Sequence, residues 1–230
     1  MSVEPELLPP ALESTGRLVS VTIPAPGLTA HRFLSAQSGA RFYWNRDDLV
    51  LAAGGVAAEL VVWDRDRFAS VQSRAAALFD GAVIETPVPG VGPRLFGGFA
   101  FQDDFVPDNT WSIYAPAYFV LPHFQLTQIG EMSWLTVNVQ QAEDEPVSIE
   151  TLRDVLGERL AGLQRDPLDS PRPLTPTSVR YPMSAAAWAE MVEAATREIH
   201  TNGLAKVVLA RACEIGFREQ IDTRLALDYL

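Results

Sequence analysis

The sequence predicts an α+β fold, mostly antiparallel sheets with helices packed on them. Three observations carry that prediction. Short β-patterned segments fill the chain before Val139. Two long helical patterns follow Ser148. Seventeen prolines and fifteen glycines suit a loop-rich α+β chain better than a helical bundle.

The elements follow in order. Residues 17–24 alternate like a strand and end at Pro24. Arg41–Trp44 and Leu49–Ala52 read as a hairpin across the polar turn Asn45–Asp48. Gly54 and Gly55 interrupt the pattern. From Phe68 to Phe79, apolar residues recur at Phe68, Val71, Ala75, Leu78 and Phe79, which is helical spacing, and Gly81 follows as a stop. Thr86–Pro93 is rich in Pro and Gly and reads as loop. Leu95–Phe101 is a strand whose paired glycines mark a bulge or a close backbone approach. Ala117–Leu126 and Ser133–Val139 are two further strands, with Gly130 in the turn between them.

Ser148 caps a helix carrying Leu152, Val155, Leu156, Leu160 and Leu163 on one face. Residues 166–182 hold five prolines, which bars regular helix or central strand. Ser184 caps the next helix, with Trp188, Met191, Val192, Ala195 and Ile199 facing inward and Glu193–Arg197 paired across one turn. Asn202-Gly203 ends it. The chain thus divides into a β-rich part over 1–165, a Pro-rich crossover over 166–182 and a last part over 183–230. A capped helical pattern beginning at Asp222 carries no stop signal before Leu230.

Composition bounds the function. The net charge of −11 argues against nucleic acid or an anionic membrane as partner. A small anionic substrate stays open, because a few local cations or a metal override the global field. One cysteine, Cys213, allows no internal disulfide and suits a reducing cytoplasm. Met1–Pro10 lacks the basic and apolar regions of a signal peptide. The longest apolar tract, Leu49–Trp63, is shorter than the ~20 residues of a spanning helix. The expectation is a soluble cytoplasmic protein whose oligomeric state the sequence does not fix.

The segment Gly203–Arg211 is the most informative in the chain. It reads as a β-strand of apolar residues carrying Lys206 near its start. A buried ammonium is costly unless something holds or uses it. Alternation puts Lys206, Val208, Ala210 and Ala212 on one face and Val207, Leu209, Arg211 and Cys213 on the other. Two readings remain: a lysine used in chemistry, or a lysine at the strand mouth that snorkels to water, toward which pattern alone leans. Arg211 reads as structural and Cys213 as a small core residue. His31, His123 and His200 show no metal-ligand spacing. No nucleophile elbow or phosphate loop is present, and Gly97-Gly98 is not followed by the helix start a phosphate loop needs. Asp103-Asp104 reads as a solvated turn, and the five tryptophans as core or hinge packing.

Five segments, in order, carry a resemblance. They are Arg41–Trp44, Pro93–Phe101, Phe119–Pro122, Trp134–Asn138 and Lys206-Val207-Val208-Leu209-Ala210-Arg211. Together they resemble the chorismate-binding enzymes and, within them, the isochorismate synthases. The resemblance implies conversion of chorismate to isochorismate with Mg²⁺. A lysine activates water to attack ring carbon C2, and a glutamic acid protonates the departing C4 hydroxyl. Lys206 matches that catalytic lysine; residues 183–230 would begin the catalytic region. The acid and the metal ligands match nothing here and are expected beyond Leu230, so the chain is expected to be an N-terminal portion that is inactive and association-prone alone. Anthranilate and aminodeoxychorismate synthases, which use ammonia, usually carry glutamine where Lys206 stands. Salicylate synthase shares the lysine. A non-catalytic binding module is the rival from another class. Menaquinone and siderophore biosynthesis remain open as pathways.

Overall fold

The structure is a computed structural model that describes residues 16–102, 114–142, 147–165, 175–201, 203–219 and 221. The chain divides into two compact units, Met1–Asp169 and Ser170–Leu230. The first unit contains β1 (Arg17–Pro24), α1 (Ala30–Ser35), β2 (Arg41–Arg46), β3 (Leu49–Gly54), β4 (Ala58–Val62), α2 (Arg67–Phe79) and β5 (Val83–Glu85). It continues with β6 (Phe96–Phe99), β7 (Ala117–Leu121), β8 (Phe124–Ile129), β9 (Met132–Gln141) and α3 (Ile149–Arg165). The second unit contains β10 (Ser178–Arg180), α4 (Ala185–Thr201) and β11 (Glu214–Gly216).

The fold is α+β with antiparallel pairing dominant. A six-stranded sheet runs β2-β3-β8-β9-β1-β5, and a three-stranded sheet runs β4-β7-β6. Among the described residues only β1 and β5 pair in parallel. In the large sheet the register places Val21 opposite Val137, and Leu126 opposite Leu135. This apolar face takes α1 over β3 and β8, and α3 over β1 and β9. Phe33, Leu34, Leu152, Leu156 and Leu163 are buried there. Thr29 and Ser148 cap the two helices through their hydroxyls. Arg32 of α1 donates to the carbonyls of Leu163 and Gln164, two of the acceptors that the end of α3 leaves unpaired.

The opposite face of the same sheet is polar and buried. Ser20, Thr22, Gln125, Thr127, Thr136 and Asn138 form a ribbon across β1, β9 and β8. Ser20 Oγ donates to Asn138 Oδ1 at 2.7 Å, and the Thr22 and Thr136 hydroxyls meet at 2.9 Å. Gln125 closes the ribbon onto the 91–94 loop. Its Nε2 donates to the Gly92 carbonyl at 3.0 Å, and its Oε1 accepts from the Arg94 amide at 3.1 Å. Asn138 Nδ2 reaches the Pro122 carbonyl at 2.8 Å. On the three-stranded sheet, α2 places Val71 against Val62 and Ala117, and Leu78 against Ala58, Leu121 and Leu18. The close approach expected at the paired glycines is at Gly97, where an added Cβ would lie 2.0 Å from the Tyr118 carbonyl oxygen. Gly98 has open space.

Several expectations need correction. Ala117–Leu126 is two strands, because Pro122-His123 turns the chain between β7 and β8. The hairpin turn is shorter than expected: Asn45 and Arg46 pair with Val50 and Leu49, and Asp47 takes the left-handed conformation at φ 53°. Sequence reading misses β4, β5 and the short α1. Val155 of α3 and Val192 of α4 are exposed rather than inward. Trp134 is buried, but Trp44 and Trp63 are exposed; Trp111 lies outside the described residues. Within the Pro-rich stretch, β10 forms on a two-stranded edge, whereas 166–174 lie outside the described residues. Asp103-Asp104 and the helix expected after Asp222 also lie outside them.

Two glutamines give a paired prediction. Gln125 is fully enclosed with every bond above made, whereas neither amide atom of Gln140 has a partner. Gln125→Leu strands a backbone amide and a carbonyl and is expected to cost about 2–3 kcal/mol. Gln140→Leu removes two unpaired buried atoms at similar volume and is expected to be neutral or stabilising by about 1 kcal/mol. Urea unfolding of both variants checks the contrast.

Candidate functional site

The second unit is built around α4. Ser184 Oγ accepts from the Ala187 amide at 3.1 Å and starts the helix. Glu193 and Arg197 pair across one turn at 3.9 Å. Gly203, at φ 71°, ends it in the left-handed conformation that glycine adopts without strain. Trp188, Met191, Ala195 and Ile199 are the half-buried positions, one helical stripe. The pairing of β11 with β10 over Glu214–Gly216 closes the unit, reinforced by an Arg180–Glu214 ion pair.

Lys206 lies between Gly203 and β11, in a segment that pairs with no strand among the described residues. This corrects the expectation that Lys206 sits on a strand inside a sheet. An apolar run becomes a strand only when a second chain segment offers its N–H and C=O groups, and none of the described residues does so here. Lys206 is exposed rather than buried, and so is Cys213, which was expected in the core. The alternation survives as exposure. Val208 is 78% exposed, whereas Val207 is 40% exposed and Leu209 and Arg211 are half-buried. The face of Lys206, Val208 and Ala210 is therefore the open one.

Lys206 makes no hydrogen bond or ion pair with another described residue. It is also the only lysine of the chain; the other seventeen basic residues are arginine. An arginine serves wherever a fixed positive charge is needed, but only a lysine amine can be stripped of its proton. Sequence reading weighed Lys206 for its place on an apolar run and missed this compositional signal. Arg211 takes the structural part expected of it. Its Nη2 donates to the Met183 carbonyl at 2.8 Å, and its guanidinium lies 4.5 Å from the centre of the Tyr181 ring.

The resemblance implies Mg²⁺, which is held by carboxylates and other oxygen donors. Among the described residues no three His, Cys, Asp or Glu side chains converge. These residues do not fit a metal. His31 and His123 belong to the first unit and His200 to the second.

The perturbed groups lie in the first unit. Desolvation on the small sheet, then the hydrogen bond and charge of Glu59, push the Tyr118 phenol up to about 12. His123 stacks flat on Phe124 at 4.9 Å, and the Arg159 guanidinium covers the Phe124 ring at 4.0 Å. Desolvation first, and the Arg159 charge second, hold His123 below its ordinary value. Desolvation also lowers Arg159, which donates to Gln37 at 2.9 Å. These groups serve packing. The shallow recess beside Gly90 and Pro93 presents one charged side chain, Arg94, which is turned to the Gly90 carbonyl. Among the described residues, no helix is long and apolar enough to cross a membrane.

A family model described as chorismate binding enzyme matches residues 8–230. The chain is 25% identical over 193 residues to the isochorismate synthase MenF of Bacillus subtilis, covering 78% of this chain and 40% of that protein. It is 33% identical over 89 residues to the salicylate biosynthesis isochorismate synthase of Pseudomonas aeruginosa, covering 39% of this chain and 18% of that one. Among solved structures it is similar to MenF, the menaquinone-specific isochorismate synthase from Escherichia coli. The TM-score is 0.52 at 20% identity, over 91% of this chain and 44% of the other. The chain spans less than half the length of each of these proteins.

The position of His123 sets a pH dependence. Its folded value lies below the 6.5 of a free histidine. Between the two values the unfolded chain binds more protons, so stability is full above 6.5 and falls as pH drops through the folded value. His123→Phe keeps the stack and removes the titration. Its unfolding free energy is expected to lose less than wild type on acidification below 6.5, measured by urea titration at matched pH.

Proposed function

The chain belongs to the chorismate-binding enzyme family, and on that premise we propose that it contributes the water-activating base of an enzyme that isomerises chorismate to isochorismate. The observation that carries this reading is the single lysine, set in Lys206-Val207-Val208-Leu209-Ala210-Arg211. Two relatives named isochorismate synthase support it.

The chemistry asks for a base that is neutral when it acts. Lys206 takes a proton from water as the oxygen bonds to ring carbon C2. The ring double bond shifts, the C4–O bond breaks, and the departing hydroxyl leaves as water once an acid has protonated it. Water is consumed at C2 and released at C4, so the reaction is an isomerisation. An amine does this near neutral pH only when its surroundings disfavour the ammonium, through lost solvent or nearby positive charge. The reading therefore requires Lys206 to be covered during the reaction. Lysine at this position favours water over ammonia as nucleophile.

Lys206→Ala in the whole protein is expected to lower isochorismate formation on the order of 10²–10⁴-fold without loss of fold. Lys206→Arg keeps the charge but cannot give up its proton, and is expected to be as inactive. Turnover near wild type in either variant, followed by chromatography, would overturn the base assignment.

Residues 1–230 purified alone are expected to give no sustained turnover with chorismate and Mg²⁺. Attack at C2 yields no product until the C4 hydroxyl is protonated, and no carboxylate of the described residues is bonded to Lys206. Sustained turnover would show that a carboxylate such as Glu198 or Glu214 completes the site.

A further inference from the structure

The recess at the edge of the first unit sets a guanidinium that has no counter-charge beside apolar walls. We propose that it binds a small monocarboxylate with a flat apolar body, whose carboxylate is held by Arg94.

The recess lies where the end of α2, the edge strand β5 and the loop after it meet. Phe79, Ile84, Thr86, Gly92, Pro93 and Arg94 line it, and its volume is about 280 Å³. Sites for drug-sized ligands span about 300–1,000 Å³, so this one suits a smaller molecule. Side chains alternate along β5. Glu85 turns toward α3, where Arg153 binds it. Ile84 turns to the other side, lines the recess and is left 43% exposed. The backbone on both sides of Pro93 is fixed. Gln125, fully buried, holds the Gly92 carbonyl at 3.0 Å and the Arg94 amide at 3.1 Å.

Arg94 brings a permanent positive charge to these walls. Its Nη2 donates to the Gly90 carbonyl, a neutral acceptor, and its Nε is enclosed without a partner. No carboxylate of the described residues pairs with it, and Glu85 of the neighbouring strand is taken by Arg153. A guanidinium gains most from a planar carboxylate, which accepts two parallel N–H bonds. Such charge-assisted bonds are about twice as strong as a bond to a carbonyl, so a carboxylate displaces the Gly90 contact. One cation answers one negative charge. A second charge would lie desolvated against Phe79, Ile84 and Pro93. This disfavours phosphate esters and dicarboxylates, chorismate among them. The walls choose the rest of the ligand, since covering Ile84 and Phe79 with an apolar ring removes their surface from water.

Gly92 keeps the space open. Its backbone is outside the left-handed region, so a side chain there brings no strain. An added Cβ would meet Ile84 Cγ2 at 3.7 Å and Thr86 Cβ at 4.0 Å, both ordinary contacts with recess residues. A larger side chain at this position therefore fits the backbone and fills the site.

The probe is para-fluorobenzoate, titrated with the 230-residue chain and followed by its fluorine NMR line width. Saturable broadening that unlabelled benzoate reverses is expected with the wild type. Acetate, which lacks the ring, is expected not to compete, and para-fluorobenzamide, which lacks the charge, not to bind. Arg94→Gln and Gly92→Leu are each expected to weaken binding about tenfold or more, with far-UV circular dichroism unchanged. Lys206→Ala is expected to bind like the wild type, which separates capture by Arg94 from capture by the exposed amine. Absence of saturable binding, equal binding of the amide, competition by acetate, wild-type affinity in Arg94→Gln, or loss of binding in Lys206→Ala would overturn the proposal. If one of the two recess variants fails to fold, the other decides alone.

Discussion

The fold of the first unit depends on the hydrogen-bonded ribbon buried between its large sheet and the 91–94 loop. Gln125 is its centre, binding the Gly92 carbonyl, the Arg94 amide and the Thr127 hydroxyl with no exposed surface. Thr127 is fully buried and Gly92 and Arg94 are half-buried, so a register slip of one residue would strand several polar groups at once. Such a ribbon discriminates between pairings more sharply than apolar packing, which tolerates many arrangements. The Asn138 bond to Pro122 extends the same constraint to the turn between β7 and β8, the point where the chain passes from the small sheet to the large one.

The second unit rests on less. It has no buried residue in α4, and its shape comes from two helix caps, one short antiparallel strand pair and the contacts of Arg211 with Met183 and Tyr181. Exposed Val179, Tyr181, Leu204, Val208 and Ile215 lie in this one short stretch of chain. The lysine that carries the proposed chemistry thus sits where local devices, rather than a core, fix the backbone. Its open face is an advantage for admitting a ring-shaped anion and a cost for tuning an amine, since tuning needs desolvation.

The family assignment and the residue chemistry come from different sources. The family follows from a match over 8–230 and is independent of any one side chain. The role proposed for Lys206 rests on what an amine can do that a guanidinium cannot. The likeness to the Escherichia coli enzyme extends over 91% of this chain at 20% identity, which speaks for the fold.

The sequence by itself determined what depends on near neighbours. Alternation over 17–24 gave β1 its bounds. Ser148, Ser184 and Gly203 set helix ends because a cap binds amides or turns the chain only a few residues away. The inward stripe of α4 was legible for the same reason. Sequence also picked out the structural part of Arg211. Tertiary structure decided what needs a distant partner. The strand β4 was hidden in the apolar tract 49–63, which Gly54, Gly55 and Glu59 interrupt, where period gives no signal until β7 pairs with it. The division of β7 from β8 lies at a turn whose flanks are equally apolar. The expected strand at Lys206 did not form, and Lys206 and Cys213 are exposed, because pairing and burial belong to what lies across from a segment and not to the segment itself.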